Sequence, residues 1–259
     1  MMADPILLIE NFFYCFVRFV GLIMIMPYVG SESFPTKTKA ILAYVVSLVC
    51  FLSLPQSAYF QASHDLEILL VIVKEFLIGM IMGLGVKVVT ETLMFAGQIV
   101  STPIGLSIAT AIDPASGEQS STMGQFNTTL GSFLFFVING HHYTFEALQK
   151  SFQVVPFNDL VYSSHHIPYF VNLFYELFMI SLQLGMPILC VAILVQFSLG
   201  VIVRTMPKLN IFMIGIPIQI CLGMITYVIS LPFLVKTIKV LYFDAFNSLL
   251  KDIAIFTKV

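Results

Sequence analysis

The chain has 259 residues, of which 58% are apolar and 10% charged, and its mean hydropathy is +0.96. Because a soluble domain carries roughly a quarter charged residues, this chain has too few charges to cover a water-facing surface. The composition therefore predicts an all-α integral membrane protein whose natural solvent is lipid or other apolar helices. The formal net charge is −2 and there is no basic tail or Lys/Arg run, so we expect no nucleic-acid binding.

The apolar runs predict about six membrane-associated helices, since a spanning helix needs about 20 mostly apolar residues. In chain order the runs are 6–26, 41–54, 66–100, 126–138, 169–203, 211–235 and an amphipathic tail, 241–256. We expect the first run to be a retained membrane helix that ends at Pro27, not a cleaved signal peptide. The run 66–100 is long enough for one tilted span or for two broken pieces.

Several runs are irregular for a simple lipid-wrapped bundle. The run 126–138 is too short to cross a hydrocarbon core of about 30 Å alone. Pro187 and Pro217 lie within long apolar runs, and Pro103 follows another. Since proline removes a helix donor and bends the chain, the pattern predicts bent helices inside a larger assembly. Two polar linkers, 101–125 and 139–168, separate the runs, and the second is expected to hold a short amphipathic helix around 143–152.

Charged side chains interrupt the apolar runs at Arg18, Lys74, Glu75, Lys87, Glu91 and Glu176. A charge near the bilayer centre costs on the order of 3 kcal/mol on insertion scales, so such groups normally face protein or a water-filled path. They would thus form a polar lumen or contact partner subunits, or else snorkel to the membrane surface or pair internally. Snorkelling or internal pairing is favoured for Lys87 and Glu91, which are four residues apart on one helical face. For Arg18 and Glu75 both alternatives stay open.

Glycines cluster in one run, at Gly79, Gly83 and Gly85, and the first two form a GxxxG pattern. Small residues let helix backbones approach closely, so we expect helix packing there, with helix bending as the alternative. The four cysteines all lie in apolar runs and are expected to act as small hydrophobic side chains.

The sequence contains little that would support chemistry. His141 and His142 are adjacent, as are His165 and His166, and adjacent residues on a helix point apart. No zinc-protease motif, nucleophile elbow or nucleotide-binding loop is present. We therefore expect no catalytic residue, no metal site, no cofactor and no enzymatic activity.

Four ordered segments resemble the FliR-type subunit of the flagellar type III protein export gate. They are RFVGLIMIMPYVGSESFPTKTKAILAYVVSL, KEFLIGMIMGLGVKVVTETLMFAGQIVSTPIGLSIATAIDP, LFFVINGHHYTFEALQKSF and LGVIVRTMPKLNIFMIGIPIQICLGM. Each piece is weak by itself, but together they run from about residue 12 to about residue 235 in the family's order and spacing.

The resemblance implies an architecture and a set of partners. FliR-type subunits look like a fusion of a FliP-like part, here about 1–165, and a FliQ-like part, here about 166–259. With FliP-type and FliQ-type subunits they complete a plugged channel that conducts unfolded flagellar proteins, beside FlhB-type and FlhA-type subunits. The implied location is the bacterial inner (cytoplasmic) membrane, in the flagellar basal body, in contact with membrane lipid.

The resemblance also implies roles for particular residues. The segment 105–123 corresponds to the gate plug, with plug positions Gly105, Leu106, Ser107, Ile108, Ala109, Asp113, Pro114 and Met123. Ile108 occupies a position often held by Phe in relatives, which makes an aliphatic seal plausible here. Arg204, Pro207 and Asn210 match the R-x-x-P-x-x-N loop that the family carries in its FliQ-like part.

Three alternatives remain. A homologous subunit of a virulence injectisome would share the same fold and residues. A secondary transporter of a small solute would be expected to show two related halves, and no internal repeat is visible. A membrane enzyme would need its chemistry from residues such as His141 and His142.

Overall fold

The computed structural model describes residues 5–30, 34–55, 59–62, 64–106, 121–157, 166–206 and 211–257. Over these ranges the only regular secondary structure is α-helix, and there is no strand. The seven helices are α1 Pro5–Ile25, α2 Thr36–Ser53, α3 Asp65–Ile104, α4 Thr122–Val137, α5 Gly140–Val154, α6 His166–Thr205 and α7 Ile211–Thr257. The all-α fold class predicted from composition is confirmed.

Prolines mark where the first two helices begin and end. Pro5 is the first residue of α1, a position where its missing N–H is not needed, and α1 ends two residues before Pro27. Pro35 is the N-cap residue of α2, and α2 ends at Ser53, shortly before Pro55. The runs predicted as the first two membrane helices are therefore both helical, and α2 begins five residues earlier than its apolar run.

The longest helices are more continuous than the sequence suggests. The run 66–100 is one helix, α3, and not two broken pieces. The runs predicted as 211–235 and a separate tail are joined in the 47-residue α7, which continues through Pro217 and Pro232. A proline removes one backbone hydrogen bond, but neighbouring turns and side chains can satisfy the freed groups in an apolar setting. Here the helical pattern on both sides outweighs the local break.

Within the described ranges, five helices are long and apolar enough to cross a membrane: α1, α2, α3, the Val171–Thr205 part of α6 and the Met213–Leu249 part of α7. At 1.5 Å per residue, α7 is about 70 Å long, more than twice a hydrocarbon core of about 30 Å. The 16-residue α4 is too short to cross by itself, as predicted. The chain is thus an integral membrane helical protein whose longest helices exceed what a single upright span requires.

The chain forms two compact units, each treated separately below. Unit 1 contains α1, α2, α3 up to Val88, α5 and α7 from Tyr242 onward. Unit 2 contains α3 from Val89, α4, α6 from Asn172 and α7 up to Leu241. The predicted division into FliP-like and FliQ-like parts near residue 165 is based on family resemblance and not on contacts. It stays a prediction.

Unit 1 is built on a close contact between α1 and α3. A Cβ added to Gly79 would collide with the backbone carbonyl oxygen of Arg18, and one at Gly83 would lie 2.8 Å from the carbonyl oxygen of Leu22. Gly21 faces α3 in the same way, against the carbonyl oxygen of Phe76. The two backbones therefore touch without intervening side chains, as small residues allow in membrane helices.

Aromatic side chains fill the rest of unit 1. Tyr14, Phe51, Phe152 and Phe157 are buried together with Cys15 and Val71. The Asn11 amide donates to the Phe60 carbonyl at 2.9 Å and accepts from the Phe60 N–H at 2.9 Å. This pair of hydrogen bonds satisfies both backbone groups of Phe60, which lies in a non-helical stretch and has no helix to supply its partners.

Unit 2 is arranged around the second part of α3. A Cβ at Gly97 would collide with the Gly124 backbone of α4, so these two helices also touch directly. The Ser181 hydroxyl of α6 donates to the Thr92 carbonyl at 2.9 Å. On α7, a Cβ at Gly223 would lie 2.7 Å from side-chain atoms of Ile104. Helices α4, α6 and α7 therefore each pack on α3.

Candidate functional site

A buried ion network lies in the middle of unit 1. The Arg18 Nε donates to Glu75 Oε2 at 2.5 Å, and both side chains are fully buried. The Lys74 ammonium lies 3.2 Å from the other Glu75 oxygen, Oε1, and is 8% exposed. Helix α1 supplies one cation and α3 supplies the second cation and the carboxylate. The network thus holds two cations and one carboxylate away from water.

The remaining Arg18 donors bind α5 and the residues that follow it. Its Nη1 donates to the Ser151 hydroxyl at 2.9 Å, and its Nη2 donates to the Val155 carbonyl at 3.0 Å. The Phe152 ring lies below the guanidinium, with 4.1 Å from Cζ to the ring centroid. A planar guanidinium with several donors is suited to such multiple contacts. Arg18 therefore ties three helices together at one point.

Lys74 extends the network into the segment after α5. Its ammonium donates to the carbonyl oxygens of Pro156 at 3.2 Å and Phe157 at 2.8 Å. These carbonyls follow the end of a helix, where backbone acceptors have no intrahelical donor. Together, Arg18 and Lys74 supply donors to three consecutive backbone carbonyls. The network fixes the path of the chain as it leaves α5.

The electrostatics of this network are those of a structural element. Burying an ion costs several kcal/mol unless good geometry and extra hydrogen bonds compensate. Here backbone carbonyls and a hydroxyl accept those hydrogen bonds, and an aromatic ring faces the guanidinium. Of the two alternatives open for Arg18 and Glu75, the structure has the internal ion pair. A contact of these residues, or of Lys74, with partner subunits stays a prediction.

The other charged residues predicted within the membrane lie on the surface of the chain. Lys87 and Glu91 are exposed on α3, and Glu176 is exposed on α6. The third glycine of the cluster, Gly85, faces α7 within unit 1, where an added Cβ would lie 2.8 Å from a Leu249 methyl carbon. The structure thus separates a buried group of charges around Arg18 from an exposed group.

The first residues of the predicted plug segment end helix α3. Gly105 has φ 89°, a left-handed conformation that glycine adopts without strain. Its N–H donates to the Thr102 carbonyl at 3.0 Å, and the Leu106 N–H donates to the Ser101 carbonyl at 3.1 Å. This pair of bonds is the Schellman arrangement of a helix C-terminus. Gly105 is therefore required by the geometry of the helix end.

Two glutamines hold the same helix end from outside. The Gln196 amide of α6 donates to the Pro103 carbonyl at 3.3 Å, and the Gln219 amide of α7 donates to that carbonyl as well. This carbonyl lies among the last four of α3, which lack donors within the helix. The α6 and α7 parts of unit 2 are thus hydrogen-bonded to Pro103, two residues before the predicted plug segment begins.

The far end of the predicted plug segment is also anchored. Ser121 is the N-cap of α4, and its hydroxyl accepts from the Gly124 N–H at 3.1 Å and donates to the Gly97 carbonyl at 3.2 Å. Met123 is buried, with 6% of its side chain exposed. The plug positions Ser107, Ile108, Ala109, Asp113 and Pro114 lie outside the described residues.

The predicted FliQ-like loop is described only at its first position. Arg204 is exposed in the last turn of α6, where a cation favours the negative end of the helix dipole. Pro207 and Asn210 lie outside the described residues.

The histidines and acidic side chains of the described residues do not gather into a metal centre. Among the described residues there is no group of three or more His, Cys, Asp or Glu side chains placed to hold a metal ion. The rings of His141 and His142 lie 4.4 Å apart at the start of α5. Burial, followed by the neighbouring His142, lowers the pKa of His141, which favours a neutral ring at physiological pH.

The partners of the charged residues are not evident from the sequence. Ser151 and Phe152 lie in the quoted segment LFFVINGHHYTFEALQKSF but were not connected with Arg18. Gln196 and Gln219 were not singled out, although each is an isolated amide in an apolar run. An isolated amide in such a run needs a polar partner, and that was the available signal.

Comparison with known proteins places the chain in a family. The family described as "Bacterial export proteins, family 1" matches residues 9–245. The chain belongs to this family. The match covers nearly the whole chain and includes every helix of the two units except the start of α1 and the end of α7.

Several curated relatives of the chain are named flagellar biosynthetic protein FliR. The chain is 27% identical over 227 residues to the flagellar biosynthetic protein FliR of Bacillus subtilis (strain 168), covering 86% of this chain and 87% of that protein. It is 27% identical over 232 residues to FliR of Aquifex aeolicus (strain VF5), with coverages of 90% and 89%. It is 26% identical over 247 residues to FliR of Escherichia coli (strain K12), with coverages of 93% and 92%. The resemblance to FliR-type proteins is confirmed.

Proposed function

We propose that this export-family chain is the FliR-type subunit of a flagellar type III protein export gate. Its relatives of nearly equal length, from three distant bacteria, are each named flagellar biosynthetic proteins. In this role the chain joins FliP-type and FliQ-type subunits, beside FlhB-type and FlhA-type subunits, in the inner membrane at the flagellar basal body. Its cargo is unfolded flagellar protein, and it transports without catalysing a reaction.

The observation that carries the proposal is the uncovered apolar surface of the two most C-terminal helices. The spanning part of α6 has a mean hydropathy of 2.5 and that of α7 has 2.0, yet only 11% and 17% of their most apolar windows are buried within the chain. A helix that is apolar all round is normally buried in protein or lipid. Two such helices, too long for one simple span each, fit a subunit that is completed by neighbours.

The proposal is tested by removing the gene and restoring it. Loss of the chain is expected to abolish secretion of flagellar proteins while leaving their synthesis intact, and the chain supplied from a plasmid should restore secretion. Unchanged secretion in the deletion strain would contradict the proposal. Loss of secretion only by a virulence injectisome would instead identify the homologous system.

We further propose that residues 105–123 form the plug of this gate. The support is that both ends of the segment are anchored to α3, at Gly105 by the helix-end hydrogen bonds and at Ser121 through the Gly97 carbonyl. A segment tethered at both ends can block an opening without leaving it. Removal of residues 105–123 is expected to let ions or small molecules leak across the membrane while the gate still assembles.

The effect of the deletion is measured as the permeability of the membrane to a small dye. Assembly of the gate is measured in the same cells. An assembled gate that stays tight without these residues would contradict the plug role and leave the subunit role standing.

A further inference from the structure

The second part of α3 has one side that no other helix of unit 2 covers. Helix α4 packs on α3 at Gly97, α6 packs at Thr92 through Ser181, and α7 packs at Ile104 through Gly223. Gly97 and Ile104 are seven residues apart and lie on one side of the α3 cylinder, and Thr92 lies on another. On the remaining side, Glu91, Gln98 and Thr102 follow one another at spacings of seven and four residues, so they form one stripe. All three are exposed.

Helix α4 continues this exposed side. It runs antiparallel to α3, with Ser121 and Gly124 at Gly97 and Asn127 donating to the Leu93 carbonyl at 3.2 Å. In an antiparallel pair, the residues just after the two contacting glycines turn to the same side, which places Gln98 beside Gln125. The exposed polar residues of α4 on that side are Thr122, Gln125 and Thr129, and the exposed Phe136 continues that side seven residues beyond Thr129.

We call these six residues the polar hairpin face: Glu91, Gln98, Thr102, Thr122, Gln125 and Thr129. Five of the six are neutral amides or hydroxyls. The Thr129 hydroxyl donates to the Gln125 carbonyl of its own helix at 2.8 Å, which leaves its oxygen able to accept. Gln98, Thr102 and Thr122 add an amide and two hydroxyls, so the face carries both donors and acceptors and little charge.

This face contrasts with the other exposed surfaces of unit 2. Phe174 and Phe197 on α6 are 64% and 72% exposed, and Ile229 on α7 is 73% exposed. Such side chains suit lipid or an apolar neighbour, whereas a row of amides and hydroxyls in hydrocarbon leaves polar groups without water. Polar side chains in membrane segments normally face a bundle interior or a water-filled cavity.

We propose that the polar hairpin face lines the aqueous path of the gate and contacts the backbone of the extended polypeptide in transit. An unfolded chain presents one N–H and one C=O at nearly every residue whatever its sequence. Neutral amides and hydroxyls can exchange hydrogen bonds with these groups and favour no particular side chain. This inference rests on the proposed export function and assigns a substrate-contacting surface to it.

Cysteine labelling in the assembled gate tests the inference. The exposed native cysteines Cys190 and Cys221 are first replaced by Ala, and Gln98→Cys and Gln125→Cys are then made one at a time. Phe197→Cys is the matched control, because Phe197 is also exposed in the chain but lies on an apolar surface. Each variant is treated with a membrane-impermeant, charged thiol reagent in cells whose gate holds a stalled export substrate or is open.

We expect Q98C and Q125C to react at least about tenfold faster than F197C, because a charged reagent is strongly excluded from hydrocarbon. A bifunctional reagent should also cross-link both variants to the stalled substrate. If both cysteines are protected in a gate that assembles and secretes, and cross-link to a neighbouring subunit, the face is a subunit interface and the inference is wrong. That result would leave the export function itself intact, since secretion is measured in the same cells.

Discussion

At the scale of single residues, Arg18 explains how charge is accommodated inside this apolar chain. Its guanidinium binds a carboxylate, a hydroxyl and a backbone carbonyl, and it lies over an aromatic ring. Each contact compensates part of the desolvation that a buried cation suffers. The arrangement depends on every partner being present, because a half-satisfied buried network is worse than an apolar one.

Removing the carboxylate of this network should destabilise the protein strongly. Glu75→Gln leaves the Arg18 and Lys74 cations buried without a counter-charge, which is expected to cost about 3–5 kcal/mol. Arg18→Lys keeps the charge but loses the planar fork, so an intermediate loss is expected. The measurements are the level of the chain in membranes and the melting temperature of the detergent-purified assembly.

The matched control is the exposed pair of Glu146 and Lys150, which are four residues apart on α5 and 55% and 53% exposed. Replacing both with Ala should change stability by no more than about 0.5 kcal/mol. Equal stability of the Glu75→Gln variant and the parent would show that the buried network contributes little.

The sequence predicts that Arg18 and Glu75 need partners but not which partners they have. The cost of a charge in an apolar run is a local property, whereas Ser151 and Val155 are 133 and 137 positions away from Arg18. Which helices pack together depends on the whole arrangement, and one sequence carries no record of it. The same limit applies to Gln196 and Gln219, whose isolation in apolar runs indicates that each needs a polar partner but not which one.

At the scale of helices, glycine sets how closely α1 and α3 approach. Gly79 lies where a Cβ would collide with the Arg18 carbonyl oxygen and stand 2.9 Å from the Leu22 nitrogen. Both neighbours are backbone atoms that cannot move aside without shifting the helix. The same contact brings Arg18 and Glu75 within reach of each other, so packing and ion pairing are coupled.

Enlarging Gly79 should therefore separate the two helices and weaken the ion network. Gly79→Ala is expected to lower the melting temperature of the purified assembly, since overpacking typically costs 1–3 kcal/mol. Gly200→Ala on α6 is the control, because a Cβ there meets nothing within 4 Å and alanine favours helix by about 1 kcal/mol. If both variants lost equal stability, close packing at Gly79 would not be the cause.

The helix boundaries show where sequence reasoning succeeds and fails. Pro27, Pro35 and Pro55 lie where apolar runs stop, and there the structure ends or begins a helix. Pro217 and Pro232 lie inside an apolar run, and α7 continues through both. A proline ends a helix when the flanking residues also favour a turn. When the flanks stay apolar, an exposed backbone would cost more than one missing hydrogen bond.

At the scale of the whole molecule, the chain leaves a large apolar surface to be covered by something else. The large exposed aromatic side chains of α6 contribute little to the stability of the chain by itself, because they are already uncovered. Phe174→Ala is therefore expected to leave the level of the chain in membranes unchanged. If neighbours cover this surface, the same change should weaken capture of FliP-type and FliQ-type subunits, as measured by co-purification.

The central claim is that this chain is one subunit of an export gate and is incomplete alone. The most direct measurement is affinity purification of the tagged chain, at its native level, from mild-detergent extracts of membranes, with the companions identified by mass spectrometry. The account predicts that FliP-type and FliQ-type subunits are recovered in fixed ratios to the chain. Recovery of the chain as a stable monomer without either subunit, from cells that are secreting flagellar proteins, would contradict it.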